Sequence, residues 1–109
     1  MVQKNYVFNN LLKLLQRKRG WDIIDKLLHL DNLDRGIRPK EFEKMGFEVT
    51  PTTNLLMEFC RIGIVVKTVD LRGKNRGTYY TIIDFSVRES LEKLLSVKEE
   101  IENVLSERI

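Results

Sequence analysis

A chain of 109 residues with 42% hydrophobic and 32% charged side chains has the apolar content of a globular and not a disordered chain, and its length is most economically read as one domain with a single core. No apolar run reaches the roughly 20 residues needed to span a bilayer, no signal-peptide core follows the start, and a single cysteine, Cys60, excludes an intramolecular disulfide. The net charge of +3 is uneven: residues 84–109 hold four basic and seven acidic side chains, so a basic body carries an acidic appendage, a pattern suited to a polyanionic partner.

Taken in chain order, residues 5–19 predict a first helix with Tyr6, Phe8, Leu11, Leu12, Leu14 and Leu15 on a wide apolar face. The basic cluster Arg17, Lys18 and Arg19 falls in its last turn, where cations complement the helix dipole, and Gly20 reads as its stop. A second helix over 21–32 turns Trp21, Ile24, Leu27, Leu28 and Leu30 inward. A short third helix follows within 34–46, with Pro39 in its first turn, Phe42 and Met45 inward and Gly46 closing it. Thr50 reads as the N-cap of a fourth helix and Pro51 as its first residue, with Leu55, Leu56, Phe59 and Ile62 inward and Gly63 at its end.

The β-branched run at 64–71, the loop Arg72-Gly73-Lys74-Asn75-Arg76-Gly77 and the run at 78–84 predict a β-hairpin. Of Tyr79 and Tyr80, strand alternation expects one in the core and one at the surface. The last helix spans 86–109, with Ser86 as its cap and Glu89 at the capping-box position. Its stripe of Val87, Leu91, Leu94, Leu95, Ile101, Val104, Leu105 and Ile109 is interrupted by Lys98, which can face Glu102, a symmetry mate of it, or solvent.

From Gly46 to Val65 the sequence resembles the helix-turn-helix core of winged-helix transcriptional regulators. Gly46-Phe47 matches the end of the family's first helix, and Ile62-Gly63-Ile64-Val65 matches the end of its recognition helix, 17 positions on. Gly77-Thr78-Tyr79-Tyr80 matches the strand that follows the family's basic wing loop. With the flanking helices the resemblance covers nearly the whole chain and is closest to small ArsR-, MarR- and PadR-like dimeric repressors. It departs from them at Val49, at Pro51-Thr52 and at Phe42, where a small residue is more usual.

The resemblance implies an α+β, mainly α, winged helix-turn-helix fold in one domain over residues 1–109. Residues 1–19 would form the N-terminal helix, 21–83 the winged-helix core with its two-stranded wing, and 86–109 the C-terminal helix. It further implies a homodimeric, sequence-specific protein that binds double-stranded DNA and regulates transcription. Such proteins set the recognition helix, here 51–62, in the major groove and the wing, here 67–77, on the backbone or minor groove.

On the recognition helix the residues expected to face out are Thr52, Thr53, Asn54 and Met57. Asn54 suits a bidentate contact to adenine and a threonine methyl suits the thymine methyl, while Thr50 and Thr53 at the helix start suit a phosphate. Arg61 suits the backbone. Glu58 faces out with them, and a merely solvated helix face would carry the same residues. The hairpin speaks more strongly: Lys67, Arg72, Lys74 and Arg76 stand against one acid, Asp70. Exposed charges add about 0–1 kcal/mol of stability at best, whereas four cations around two glycines can track phosphates. Protection of the hairpin edge by charge is the alternative.

The acidic last helix and the leucine-rich first helix are expected to pair two copies as in a coiled coil, through Phe8, Leu11, Leu15, Leu91, Leu94, Ile101 and Leu105. Catalysis finds little support: His29 is a lone histidine near a helix end, and Cys60 has no second ligand at metal spacing, so neither metal nor cofactor is expected. Apolar neighbours favour a buried Cys60 thiol in a cytoplasmic protein, with an intermolecular bridge left open. Two further readings stay open: a winged-helix module that assembles with protein partners without specific DNA binding, and a sequence-neutral chromatin protein.

Overall fold

The computed structural model describes residues 4–30 and 36–108, apart from the side chains of Lys4, Asn5, Leu30 and Asn75. The inward placement expected of Leu30 and Ile109, and the helix boundaries near Asn32 and Asp34, lie outside the described residues. The elements are α1 (Lys4–Leu15), α2 (Gly20–Leu30), α3 (Pro39–Lys44), α4 (Val49–Arg61), β1 (Val65–Asp70), β2 (Gly77–Ile82) and α5 (Phe85–Glu107). The result is a small, mostly helical α+β fold with one antiparallel hairpin. No described helix is long and apolar enough to cross a membrane.

The turn between α1 and α2 differs from the sequence expectation. Helix α1 ends at Leu15, and Gly20 is not its stop but the first residue of α2. Arg19 adopts a left-handed φ of 64°, which reverses the chain. Gly20 is needed there because a Cβ would lie 2.3 Å from the Leu14 carbonyl oxygen. The basic cluster therefore occupies the turn itself. Arg19 lies 3.7 Å from the centroid of the Phe47 ring and 3.8 Å from the Asp22 carboxylate.

The two glycines noted at 46 and 63 do the same local job. In each, the glycine N–H bonds a carbonyl three residues back and the next residue's N–H reaches five back: Gly46 to Glu43 and Phe47 to Phe42, then Gly63 to Cys60 and Ile64 to Phe59. This is the Schellman helix ending, which requires the positive φ of 91° and 85° found at the two glycines. The hydrophobic contact that accompanies the motif is present at the first, where Phe42 and Phe47 meet edge to face at 5.4 Å.

Helix α4 packs against α1, α2, α3 and β1 at the centre of the molecule. Leu55, Leu56 and Phe59 are buried there with Leu15, Ile23, Ile24, Leu27 and Phe42. Ile23 was not among the residues expected to face inward. The helix that carries it, α2, packs against both α1 and α4, and Ile23 is as buried as Ile24. In the hairpin, Val65 pairs with Ile82 and Asp70 with Gly77. A further bridge joins Ile37 to the free edge of β2 through two backbone bonds with Tyr80, of 2.8 and 2.9 Å. Tyr79 and Tyr80 are both buried, against the expected alternation. Tyr80 faces the core, while the Arg38 guanidinium covers Tyr79, 5.4 Å from its ring centroid.

The cap of α5 is Asp84, whose carboxylate accepts the Val87 N–H at 2.8 Å; Ser86 lies inside the helix and the expected capping box does not form. Arg88 donates to the Leu28 carbonyl at 2.9 Å, so α5 satisfies an acceptor in the last turn of α2. Further along, Lys98 pairs with Glu102 and lies 5.2 Å from the Trp21 ring centroid, near the start of α2. Helix α5 thus runs back along α2.

Candidate nucleic-acid interface

The start of α4 corrects part of the predicted surface. Its N-cap is Glu48, not Thr50, and Pro51 is the third helical residue. The shift is tolerated because the first turn has no intrahelical acceptors for its N–H groups, so a proline there forfeits nothing. Thr52, three and four residues before Leu55 and Leu56, lies on their inward face and is 3% exposed, while Thr53 is half-buried. Thr50, Asn54, Met57 and Arg61 remain exposed, and their spacing of four, three and four residues makes one continuous helix face. Arg61 is 3.1 Å from the Glu58 carboxylate, so part of its charge is neutralised within the helix.

Tyr80 links this face to the hairpin: from β2 its hydroxyl donates to the Met57 sulfur at 3.6 Å. Near Tyr80 lies Cys60, whose thiol is pushed up from its ordinary value by burial, with the Lys67 charge pulling the other way. The Tyr80 hydroxyl is also raised, first by burial and then by the neighbouring Cys60. Both groups are therefore uncharged at neutral pH.

The hairpin brings Lys67, Arg72, Lys74 and Arg76 together, all exposed. The nearby acid does not neutralise them. Asp70 accepts the backbone N–H of Arg72 at 2.9 Å, shaping the entry to the short 3-10 turn Gly73–Asn75. Among the described residues no ion pair engages any of the four cations. Leu71, at 81% exposure, stands beside them at the tip. The basic turn after α1 reaches the start of α4, where Lys18 and Arg19 line a pocket of about 110 Å³ with Glu48, Pro51 and Thr52.

Two cations escaped the sequence reading. Arg38 and Lys40 flank Pro39 at the start of α3, and with Arg76, Gly77 and Thr78 they line an open cavity beside the hairpin. The Arg-Pro-Lys run was visible, but only the pairing of Ile37 with Tyr80 brings it next to the hairpin. His29, near the end of α2, meets the Asp25 carbonyl at 2.8 Å and the Asp25 carboxylate at 2.9 Å.

The expected dimer residues divide. Leu11, Leu15 and Leu91 are buried in the chain's own core and are not available to a second copy. Phe8, Ile101 and Leu105 are half exposed or more, Leu94 is partly covered, and Val97 and Val104 extend the exposed stripe. No protein-family model matches the chain, and no curated protein is significantly similar to it.

Proposed function

We propose that this chain is a winged helix-turn-helix protein that binds double-stranded DNA as a homodimer and regulates transcription. The observation that carries the reading is the unneutralised charge of Lys67, Arg72, Lys74 and Arg76 on a hairpin tied through Tyr80 and Met57 to an exposed polar helix face. The α4 face from Thr50 to Arg61 is about 16 Å long at 1.5 Å per residue, suited to a major groove about 12 Å wide. There Asn54 offers its amide to adenine, and Met57 and Thr50 offer apolar contact to thymine methyls. The hairpin supplies affinity by displacing counterions from phosphates, and Arg72, Lys74 or Arg76 can enter a narrow minor groove. In a two-fold dimer, two copies of α4 would meet the duplex one helical turn apart.

Replacing Arg72, Lys74 and Arg76 by alanine tests the assignment. Each lost phosphate contact lowers the slope of log affinity against log salt by about 0.9, so the triple variant should lose about 2.7 from the slope and bind more weakly at every salt concentration. An unchanged slope would refute the role given to the hairpin.

The exposed apolar residues Val97, Ile101, Val104 and Leu105 favour a second reading, a module that assembles with other proteins and leaves DNA alone. A gel shift on mixed genomic fragments at moderate salt separates the two, with retarded bands under the first and none under the second. Equal binding to selected and random duplexes would instead indicate sequence-neutral coating.

A further inference from the structure

The start of α3 and the base of the hairpin enclose an open cavity of about 320 Å³ lined by Arg38, Pro39, Lys40, Arg76, Gly77 and Thr78. Three of these are cations, and no carboxylate lines the cavity among the described residues. Arg38 is held firmly in place. Its backbone N–H donates to the Glu41 carboxylate at 2.8 Å, and its guanidinium lies over Tyr79. Its charge is poorly matched, since the nearest contact to Glu41 is 3.8 Å, beyond hydrogen-bond length. Its Nε is buried and has no hydrogen-bond partner among the described residues. A buried, unbonded donor on a permanent cation is unfavourable, and the cavity that Arg38 lines holds two more cations, Lys40 and Arg76, that no ion pair engages among the described residues.

We propose that this cavity is a phosphate seat, occupied by a phosphodiester of the bound duplex, with Arg38 and Lys40 on one wall and Arg76 on the other. The proposal rests on the DNA-binding reading and extends it from the hairpin tip to the body of the protein. A phosphodiester presents two non-bridging oxygens that share one negative charge. The Arg38 fork can donate to one while Lys40 or Arg76 meets the other, and Arg38, already fixed by Tyr79, gives up little freedom on binding. Such a contact reads no base. It fixes how far the hairpin lies from α3 along the strand, and so sets the register in which α4 meets the groove. Free phosphate offers the same chemistry, and the experiment separates the two sources.

The test follows the Arg38 Nε–Hε resonance in nitrogen-15 spectra of the full chain, assigned by its loss in Arg38→Lys, during titration with a mixed-sequence duplex and separately with inorganic phosphate. Duplex affinity is measured against salt for the wild type, Arg38→Lys and Lys40→Gln, the last being an exposed change that leaves the packing over Tyr79 intact. A duplex-induced shift of that resonance is expected, with a salt slope lower by about 0.9 in Lys40→Gln and several-fold weaker binding in Arg38→Lys. Duplex binding with the resonance unmoved and both variants like wild type would overturn the seat and leave the DNA reading standing. No duplex binding at all would overturn the DNA reading. In that case, saturable movement of the resonance by inorganic phosphate would reassign the seat to free phosphate, and no movement would overturn it too.

Discussion

Cys60 and Tyr80 form the one contact in the described residues where two raised acidities meet, and the sign of their effect on stability follows directly. Each keeps its proton to higher pH in the folded chain than in the unfolded one, from ordinary values near 9 and 10. The folded state is then favoured below those values and loses that advantage as pH rises through the raised ones. The melting temperature is expected to be level from neutrality to about pH 9 and to fall above it, as thermal unfolding in a series of buffers would show. Cys60→Ala should postpone part of the fall, because it removes one of the two groups and also the neighbouring charge that raises Tyr80. A profile flat to pH 11 would contradict the burial assigned to both. The cysteine's apolar neighbours made its partial burial legible. The burial of Tyr79 was not, because period-2 alternation describes a strand with one open face, and here a guanidinium from 41 residues away in sequence closes the second. Thr52 went wrong for a different reason: it stands three and four residues before Leu55 and Leu56, at the spacing of the inward face, and its hydroxyl was read in place of that spacing.

At the scale of elements, the helix ends divide into those a sequence exposes and those it conceals. Gly46 and Gly63 were readable because a Schellman ending needs a left-handed residue, which glycine alone supplies cheaply. The start of α5 was concealed by a decoy: Ser86 with Glu89 has the form of a capping box, yet the acceptor used is Asp84. The hairpin decides between them. Ile83 donates to the Ile64 carbonyl at 2.9 Å, so the chain stays extended to Asp84, the first residue free to turn into a helix. Asp84→Ala should therefore cost about 1 kcal/mol of stability by denaturant unfolding, whereas Ser86→Ala should fall within about 0.5 kcal/mol of wild type. The reverse order would restore the sequence reading of that cap. The hairpin as an element was legible from its β-branched runs and glycines, and its four cations could be counted without coordinates. What could not be counted was Arg38 and Lys40 beside them, since the bridge from Ile37 to Tyr80 is too short to leave a strand pattern.

The whole molecule exposes 7875 Å² against about 6,300 Å² expected of a compact monomer of 12.9 kDa. Its radius of gyration of 14.8 Å is likewise above the roughly 13 Å expected for its length. Much of the exposed apolar surface lies on the last part of α5, where Val97, Ile101, Val104 and Leu105 are each about half exposed. Four such residues on one helix face are poorly suited to water, and Phe8 and Tyr6, at 50% and 62% exposure, add to the unburied apolar area on α1. Under the proposed function a second copy covers this surface, and the stability of the protein then depends on its concentration. Light scattering at micromolar concentration should give twice the chain mass, and the melting temperature should rise with protein concentration, as mass action requires. Ile101→Glu combined with Leu105→Glu should return a monomer that is folded, because neither residue belongs to the core, and whose melting temperature no longer depends on concentration. The same variant should bind one half-site with far lower affinity than the dimer binds two, since the second α4 no longer arrives tethered to the first. A wild-type chain that is monomeric throughout this range would remove the second copy from the proposal and leave the apolar end of α5 to a different protein.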